Sequence, residues 1–373
     1  MTSVTCETTT LADAVMRAAR VAPNKGAAFD KASGILLEVT PAMTPALRVK
    51  ATDLEVTYFQ RVPTTKAEGD PTKWRVSSKL FADIAAALPL GSGSQVTLAN
   101  DGDQVVVTSG DVKAQLRTMD AERFPAIRPF DPTGMEEVDD LPRRLDQVTW
   151  ATDPKGGVLS GVYVDGDYLT ACDRIRAAFV PCKVPVVEPV VVPMRTVNGL
   201  LRSLSSVKVR ATSQALELMP DADTQIRCTL MLEVFPDVRS ITRDDFAVEI
   251  GVDREALVNS VNRLRLVARG ERYSMVRVVA DEAAAKLDLS LEVKGVGRMD
   301  DSVTATVKGG DFKFNVGPNN LLDALESSKR TDITLSVGPN ADHAFRVTDG
   351  DDYEAWIMPL KDMHEKPTSE EEA

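Results

Sequence analysis

Among the residues able to do covalent, metal or phosphate chemistry, only the cations fall into a pattern in this sequence. Cys6, Cys172, Cys182 and Cys228 are scattered with no short paired spacing, and the two histidines, His343 and His364, lie far from any such cluster. Structural zinc needs closely bracketed ligands and a cysteine nucleophile needs a histidine beside it, so the thiols read as small buried side chains. Gly91-Ser92-Gly93-Ser94 follows a helical pattern instead of opening one, which makes it a loop and not a phosphate cradle. Asp and Glu are abundant, yet none sits in a recognisable acid–base motif. No catalytic residue, metal site or cofactor is expected. The cations are different. The net charge of −12 argues against nucleic acid, but Arg17, Arg20, Lys25, Lys79, Arg143, Arg144, Lys155, Arg195, Arg202, Lys208, Arg254, Arg263, Arg265, Arg269, Arg272, Lys329 and Arg330 gather on predicted helices and their ends, against ten acids there: Asp13, Asp83, Asp140, Asp146, Asp153, Asp253, Glu255, Glu271, Asp323 and Glu326. These cations are either solvated helix faces or a weakly positive surface for phosphates, with the acid concentrated elsewhere.

The elements that carry these cations repeat. Leu80, Phe81, Ile84, Ala85 and Leu88 recur at helical spacing, Pro89 stops the helix, and Val96 and Leu98 begin an alternating strand. The pattern returns with Val197, Leu200, Leu201 and Leu204 before Val207, Val209 and Ala211, and again with Leu321, Leu322 and Leu325 before Ile333, Leu335 and Val337. Taking Val96, Val209 and Leu335 as equivalent, the spacings are 113 and 126 residues, which is domain-sized. Each third also restarts with a helix: Leu11, Val15 and Ala18 or Ala19; then Leu141, Leu145 and Val148; then Leu257, Val261 and Leu264. Strands are expected at 35–39, 46–51, 54–62, 105–109, 113–118, 158–164, 168–171 and 353–359, with turns at Ser109-Gly110-Asp111 and Asp165-Gly166-Asp167. A linker rich in Pro and acid spans Pro129 to Asp140, and another lies at Thr242 to Asp245.

Domains are therefore expected at 1–132, 133–244 and 245–362, followed by an acidic, solvated tail at 363–373. Two helices and two sets of strands per domain imply an α+β architecture, with helices on one face of antiparallel sheets. Exposed sheet edges must be paired, and head-to-tail pairing between domains and chains generates a ring. The most apolar run, Val184 to Met194, is interrupted by Glu188 and three prolines, so no membrane span is expected. Glu7 and Asp13 stand where a secretory signal would carry positive charge, which points to the cytoplasm.

Several motifs, in order and at domain spacing, resemble the bacterial-type DNA polymerase sliding clamp, the beta subunit of the replicative polymerase. They are Ala51-Thr52-Asp53-Leu54-Glu55, the helix from Ser77 to Pro89, Phe124-Pro125, Phe235-Pro236-Asp237, Phe314-Asn315-Val316 with Leu321-Leu322-Asp323-Ala324-Leu325, and Ile357-Met358-Pro359-Leu360. The resemblance covers essentially the whole chain. It implies three domains of the DNA-clamp type, each with two helices facing a central hole and antiparallel sheets outside. It also implies a homodimeric ring that encircles duplex DNA without catalysis. Lys25 matches a DNA-contacting family position, and Arg202 and Arg263 are further DNA-facing expectations. Ile84, Leu88 and Ala114 on one side, and Val267 and Tyr273 on the other, match the dimer interface.

The resemblance further implies a groove for short peptides from the replicative polymerase, the clamp loader and other proteins with clamp-binding motifs. Its matching positions are Leu159, Cys172, Asp173, Arg174, Ile175, Arg176, Ala177, Pro236, Ser240, Ile241, Asn315, Asn320, Ala344, Ile357, Met358, Pro359 and Leu360. The chain departs from the family in that groove. Cys172-Asp173-Arg174-Ile175-Arg176 stands where members usually read Thr-Asp-Gly-His-Arg, and Ser240 stands where many carry Arg. Gly317-Pro318-Asn319 lengthens the approach to the last helix, and Lys361, Asp362 and the tail extend past the usual end. These changes predict an altered peptide preference. The rival reading is a non-catalytic interaction or scaffold protein built on the same domains, and a carboxylate-dependent hydrolase stands behind it.

Overall fold

In a computed structural model of the chain, the described residues are 1–23, 31–41, 43, 45–91, 93–193, 199–201, 204–269, 271, 274–350 and 352–361. The chain forms two compact units, one made of Met1–Arg143 with Val184–Leu232, the other of Arg144–Lys183 with the residues from Glu233 onward.

In the first unit, helix α1 (Thr8–Val21) follows the strand Ser3–Glu7 directly and buries Leu11, Ala12, Val15 and Ala18 on one face. Helix α2 (Ser78–Ala87) packs against it through Phe81 and Ala85. Leu80, expected on the buried stripe, is exposed, because this short helix turns only the Phe81 and Ala85 face to the core. A 12-stranded sheet surrounds the pair, and its pairings among the described residues are antiparallel. The strand Val56–Glu68 is long enough to pair three ways, with Ala46–Thr52 and Thr224–Thr229 near its start and with Ser3–Glu7 near its end.

The expected linker Pro129 to Asp140 is partly ordered. Its acidic end is a strand, Glu136–Asp139, paired with Ser206–Ala211, and only its Val138 is buried. Upstream, the Phe130 backbone exchanges hydrogen bonds with the Gln225 side chain at 2.8 and 2.9 Å. Arg210 and Arg227 lie over the Phe130 ring, and both bond the buried Glu217 carboxylate at 2.5 Å.

In the second unit, helix α4 (Arg254–Leu264) is capped by Asp253, whose Oδ1 accepts the Ala256 amide at 2.7 Å. It buries Leu257, Val261 and Leu264, as their spacing predicts. Helix α3 (Leu141–Val148), of which Arg144–Val148 belong to this unit, buries Leu141, Leu145 and Val148. Helix α5 (Pro318–Ser327) has Gly317 as its N-cap and Pro318 at its start, so the Gly-Pro-Asn segment supplies the cap and the first helical residues; proline there loses no needed amide. The strand expected at 158–164 shortens to Val162–Val164, because a 3-10 turn takes Gly157–Ser160. The helix expected around Leu200 is described only at 199–201, and the 363–373 tail lies outside the described residues. No described helix is long and apolar enough to cross a membrane.

The sheet edges repeat an arrangement. In the first unit Thr224–Thr229 lies antiparallel on the start of Val56–Glu68, with Ile226 opposite Tyr58. In the second unit Glu354–Ile357 lies in the same way on Arg176–Pro181, with Ile357 opposite Arg176. The corresponding strand of the last third, Gly297–Lys308, pairs with Lys286–Val293, and its other side pairs with Val248–Asp253 only from Ala305 onward. The corresponding hairpin strand of the first third, Val112–Met119, pairs with Gln104–Ser109, and its other side is paired only at Thr118 and Met119. Among the described residues, Gly297–Thr304 and Val112–Arg117 each keep one open edge.

Candidate functional site

The second unit gathers most of the expected groove residues around its C-terminal strand. The strands Tyr168–Cys172 and Arg176–Pro181 are joined by a tight turn in which Asp173 Oδ1 accepts the amides of Ile175 at 3.2 Å and Arg176 at 2.8 Å. An Asp at this position organises its own turn. Arg174 sits at the apex with φ +79°, in the left-handed region. Asp53 builds the same turn in the first unit, bonding the Glu55 and Val56 amides with Leu54 at φ +79°.

Arg176 fastens this turn to α5. Its guanidinium bonds Asp173 Oδ2 at 2.7 to 2.8 Å and Asp323 Oδ2 at 2.6 Å, and it lies over the Trp150 ring at 5.3 Å. Ile357 is fully buried opposite Arg176. The chain then runs past the turn, with Met358 N donating to Ile175 O at 2.8 Å and Leu360 N to Asn315 O at 2.9 Å. Met358 (41 %), Leu360 (40 %) and Ile175 (50 %) keep apolar surface exposed, whereas Ala177 is buried and Pro359 half-buried. Asn320, in the first turn of α5, and Leu360 both approach Gly317, so these positions converge with Asn315.

The segment from Pro236 to Ile241 reaches the same strands through Arg239, which the sequence reading passed over. Its guanidinium lies 3.8 Å from the Phe179 ring centre and 5.0 Å from that of Tyr168, and it bonds Glu354 at 3.0 Å. Pro236 and Ser240 are exposed, and Ile241 is 71 % exposed. Ala344 is half-buried and precedes Phe345, which pairs with Ile357; the neighbouring His343 Nδ1 accepts from Arg243 at 2.6 Å. Leu159 is buried on the 3-10 turn, with no described bond to the other groove positions. Trp150 and Arg239 are supporting residues that local patterns do not flag, although Arg239 follows Phe235-Pro236-Asp237 directly; Asp323 belongs to the Leu321–Leu325 motif.

The electrostatics are those of a binding surface. Burial pushes the Cys172 thiol up to about 11, the Arg174 amide hydrogen bond opposing, which keeps it from acting as a nucleophile near neutral pH. Burial likewise raises Cys6 to about 12. Cations around the turn are neutralised: Arg176 by Asp173 and Asp323, Arg239 by Glu354, Arg243 by Asp245, and Lys361 by Asp342. Arg174 is exposed and has no carboxylate partner among the described residues. Among these residues, no group of three or more His, Cys, Asp or Glu could hold a metal.

The remaining expected positions lie elsewhere. Arg263 bonds Asp301 at 2.5 and 2.8 Å with its side chain 54 % exposed. Ala114 lies on the open edge of Val112–Arg117, and Val267 approaches Gly297, where the other open edge begins. Ile84 is half-buried and Leu88 buried at the end of α2. Lys25, Arg202 and Tyr273 lie outside the described residues.

Residues 2–128 match the family model "DNA polymerase III beta subunit, N-terminal domain", and residues 239–361 match its C-terminal domain. The chain is 30 % identical over 230 residues to the beta sliding clamp of Micrococcus luteus, covering 57 % of this chain and 72 % of the relative. It is 22 % identical over 334 residues to that of Bacillus subtilis, covering 83 % and 87 %. Its fold is similar to the DNA polymerase III beta subunit of Thermotoga maritima, with a TM-score of 0.84 at 21 % identity over 97 % of this chain and 100 % of that one. The Bacillus subtilis clamp structure gives a TM-score of 0.82 at 19 % identity, over 97 % and 99 %.

Proposed function

Because the chain belongs to the beta sliding clamp family, the non-catalytic processivity factor of DNA polymerase III, we propose that two copies close head to tail around duplex DNA and present the groove of the second unit to partner peptides. The observation that carries ring closure is the open side of Val112–Arg117 and of Gly297–Thr304, the strands that correspond to the two filled junctions. The two occupied junctions within one chain join a hairpin strand of one third to the long strand of the third before it. A second copy would supply the missing partner for each open edge. Transposing the register of Thr224–Thr229 on Val56–Glu68 would set Val112 opposite Asp300 and Ala114 opposite Arg298. In that register Lys113 stands opposite Met299, next to Asp300. In this reading the thirds 1–132, 133–244 and 245–362 are the repeated domains, and the two units reflect strand exchange by the middle third.

With helices turned inward, Lys25, Arg202 and Arg263 are the proposed DNA-facing cations, in a protein working in the cytoplasm. Topological linkage needs no tight phosphate contact, and weak, salt-sensitive contacts leave the ring free to slide. The groove would take apolar anchors of the polymerase, the clamp loader and other motif-bearing partners on Ile175, Met358 and Leu360, at about 2 kcal/mol for each dominant anchor. Light scattering together with retention on circular and linearised DNA tests the reading. A mass near twice 40.4 kDa, with retention on circles and loss from linear ends, is expected. A monomer that never stays on circles would leave only an interaction module.

A further inference from the structure

Resting on that groove reading, we propose that Arg174 makes the site selective for a linear peptide carrying a carboxylate beside its apolar anchors. The turn holding Arg174 is set by Asp173 and recurs in the first unit with Leu54 at the same φ of +79°, so the backbone does not call for a cation at the apex. A non-glycine residue in the left-handed region is strained, and glycine would relieve that strain. The chain nevertheless places its longest cation there. Arg176, Arg239, Arg243 and Lys361 are each held by a carboxylate, whereas Arg174 stands exposed without one among the described residues. Its neighbour Ile175 bonds the Met358 amide through its carbonyl, so this charge follows directly on the exposed apolar row of Ile175, Met358 and Leu360. A peptide seated on that row would bring a neighbouring carboxylate within reach of the flexible guanidinium, in a geometry suited to bidentate bonding. An acidic peptide is therefore the occupant that this charge pattern complements.

The test uses the full-length chain and a fluorescein-labelled hexapeptide of alternating Ser and Leu, with one Asp or one Asn walked through its Ser positions, read by anisotropy. At least one Asp peptide should bind about three- to tenfold tighter than its Asn twin, as for a partly screened rim pair. The gain should shrink in high salt, vanish in Arg174→Gln, and persist in reduced form in Arg174→Lys. Arg174→Gly removes charge and strain together, so it should keep the fold while losing the gain. Equal binding of every Asp and Asn pair, or a gain that survives Arg174→Gln, overturns the proposal but leaves the groove intact. Binding of no peptide overturns both. The chain's own acidic end is the competing occupant. If the triple substitution Glu370→Gln, Glu371→Gln and Glu372→Gln tightens every peptide and the effect disappears in Arg174→Gln, Arg174 serves that end and the proposal falls.

Discussion

The bond from Arg176 to Asp323 decides whether the groove turn is held by α5 or merely lies near it. Arg176→Met keeps much of the side-chain volume while removing the guanidinium, and Asp323→Asn keeps the shape while removing the charge. A charge-assisted hydrogen bond contributes about 1.5–3 kcal/mol when well shielded. Here the Arg176 side chain is 14 % exposed and that of Asp323 is 44 % exposed, so screening reduces the expected coupling to about 1–2 kcal/mol. Asp173 keeps its two backbone amides in either variant, so the turn should open more often without losing its shape. Local opening is read by hydrogen exchange at the Ile175, Arg176 and Met358 amides. Exchange there should quicken about 5- to 30-fold in the single variants, and the double variant should add little beyond them. The reasoning fails if the cycle gives a coupling below about 0.3 kcal/mol, or if exchange quickens equally throughout the second unit.

Ile84→Lys, at the end of α2 and beside the proposed subunit contact, should give monomers in sedimentation; an intact dimer would refute that assignment. Glu217→Gln strips the buried carboxylate shared by Arg210 and Arg227, and should destabilise the first unit in urea by about 2 kcal/mol. That is below the full cost of a broken buried pair, because the Arg227 side chain is 47 % exposed. Gly309→Ala should lower the melting temperature sharply, since φ is +104° and an added Cβ would lie 2.1 Å from the Ala247 carbonyl oxygen. Hydrogen bonding from Arg330, with Arg144 adding to it against a desolvation that opposes, holds the Asp352 carboxyl below the usual range. Near pH 4 the unfolded chain therefore binds a proton that the folded chain refuses. The stability that Asp352 contributes is present above that pH and lost as pH falls through the lower folded value. Acid unfolding of Asp352→Asn should lack this component.

Short-range physics made much of the molecule legible before its structure. Leu141, Leu145 and Val148, and likewise Leu257, Val261 and Leu264, are buried as their spacing requires, because a helix brings residues three and four apart onto one face whatever surrounds it. The turns at Gly110 and Gly166 follow from the positive φ that glycine tolerates. The motif order was likewise readable, and with it the family. Other features depended on partners distant in the chain. Glu136–Asp139 reads as acidic linker and becomes a strand only because Ser206–Ala211 offers it an edge. Leu80 shares a helical stripe with Phe81 but faces solvent, since only packing chooses which part of a broad stripe is covered. Arg239 looks like any surface cation until the fold sets it over Phe179 and Tyr168 and beside Glu354. The sequence by itself determined the buried faces of its helices and the turns at Gly110 and Gly166, set by neighbours a few residues away. Only the tertiary structure decided which edges are filled, which are left open, and which cation of the groove stands unpaired. Those outcomes depend on strands and charges brought together from more than a hundred residues apart, and no local pattern encodes them.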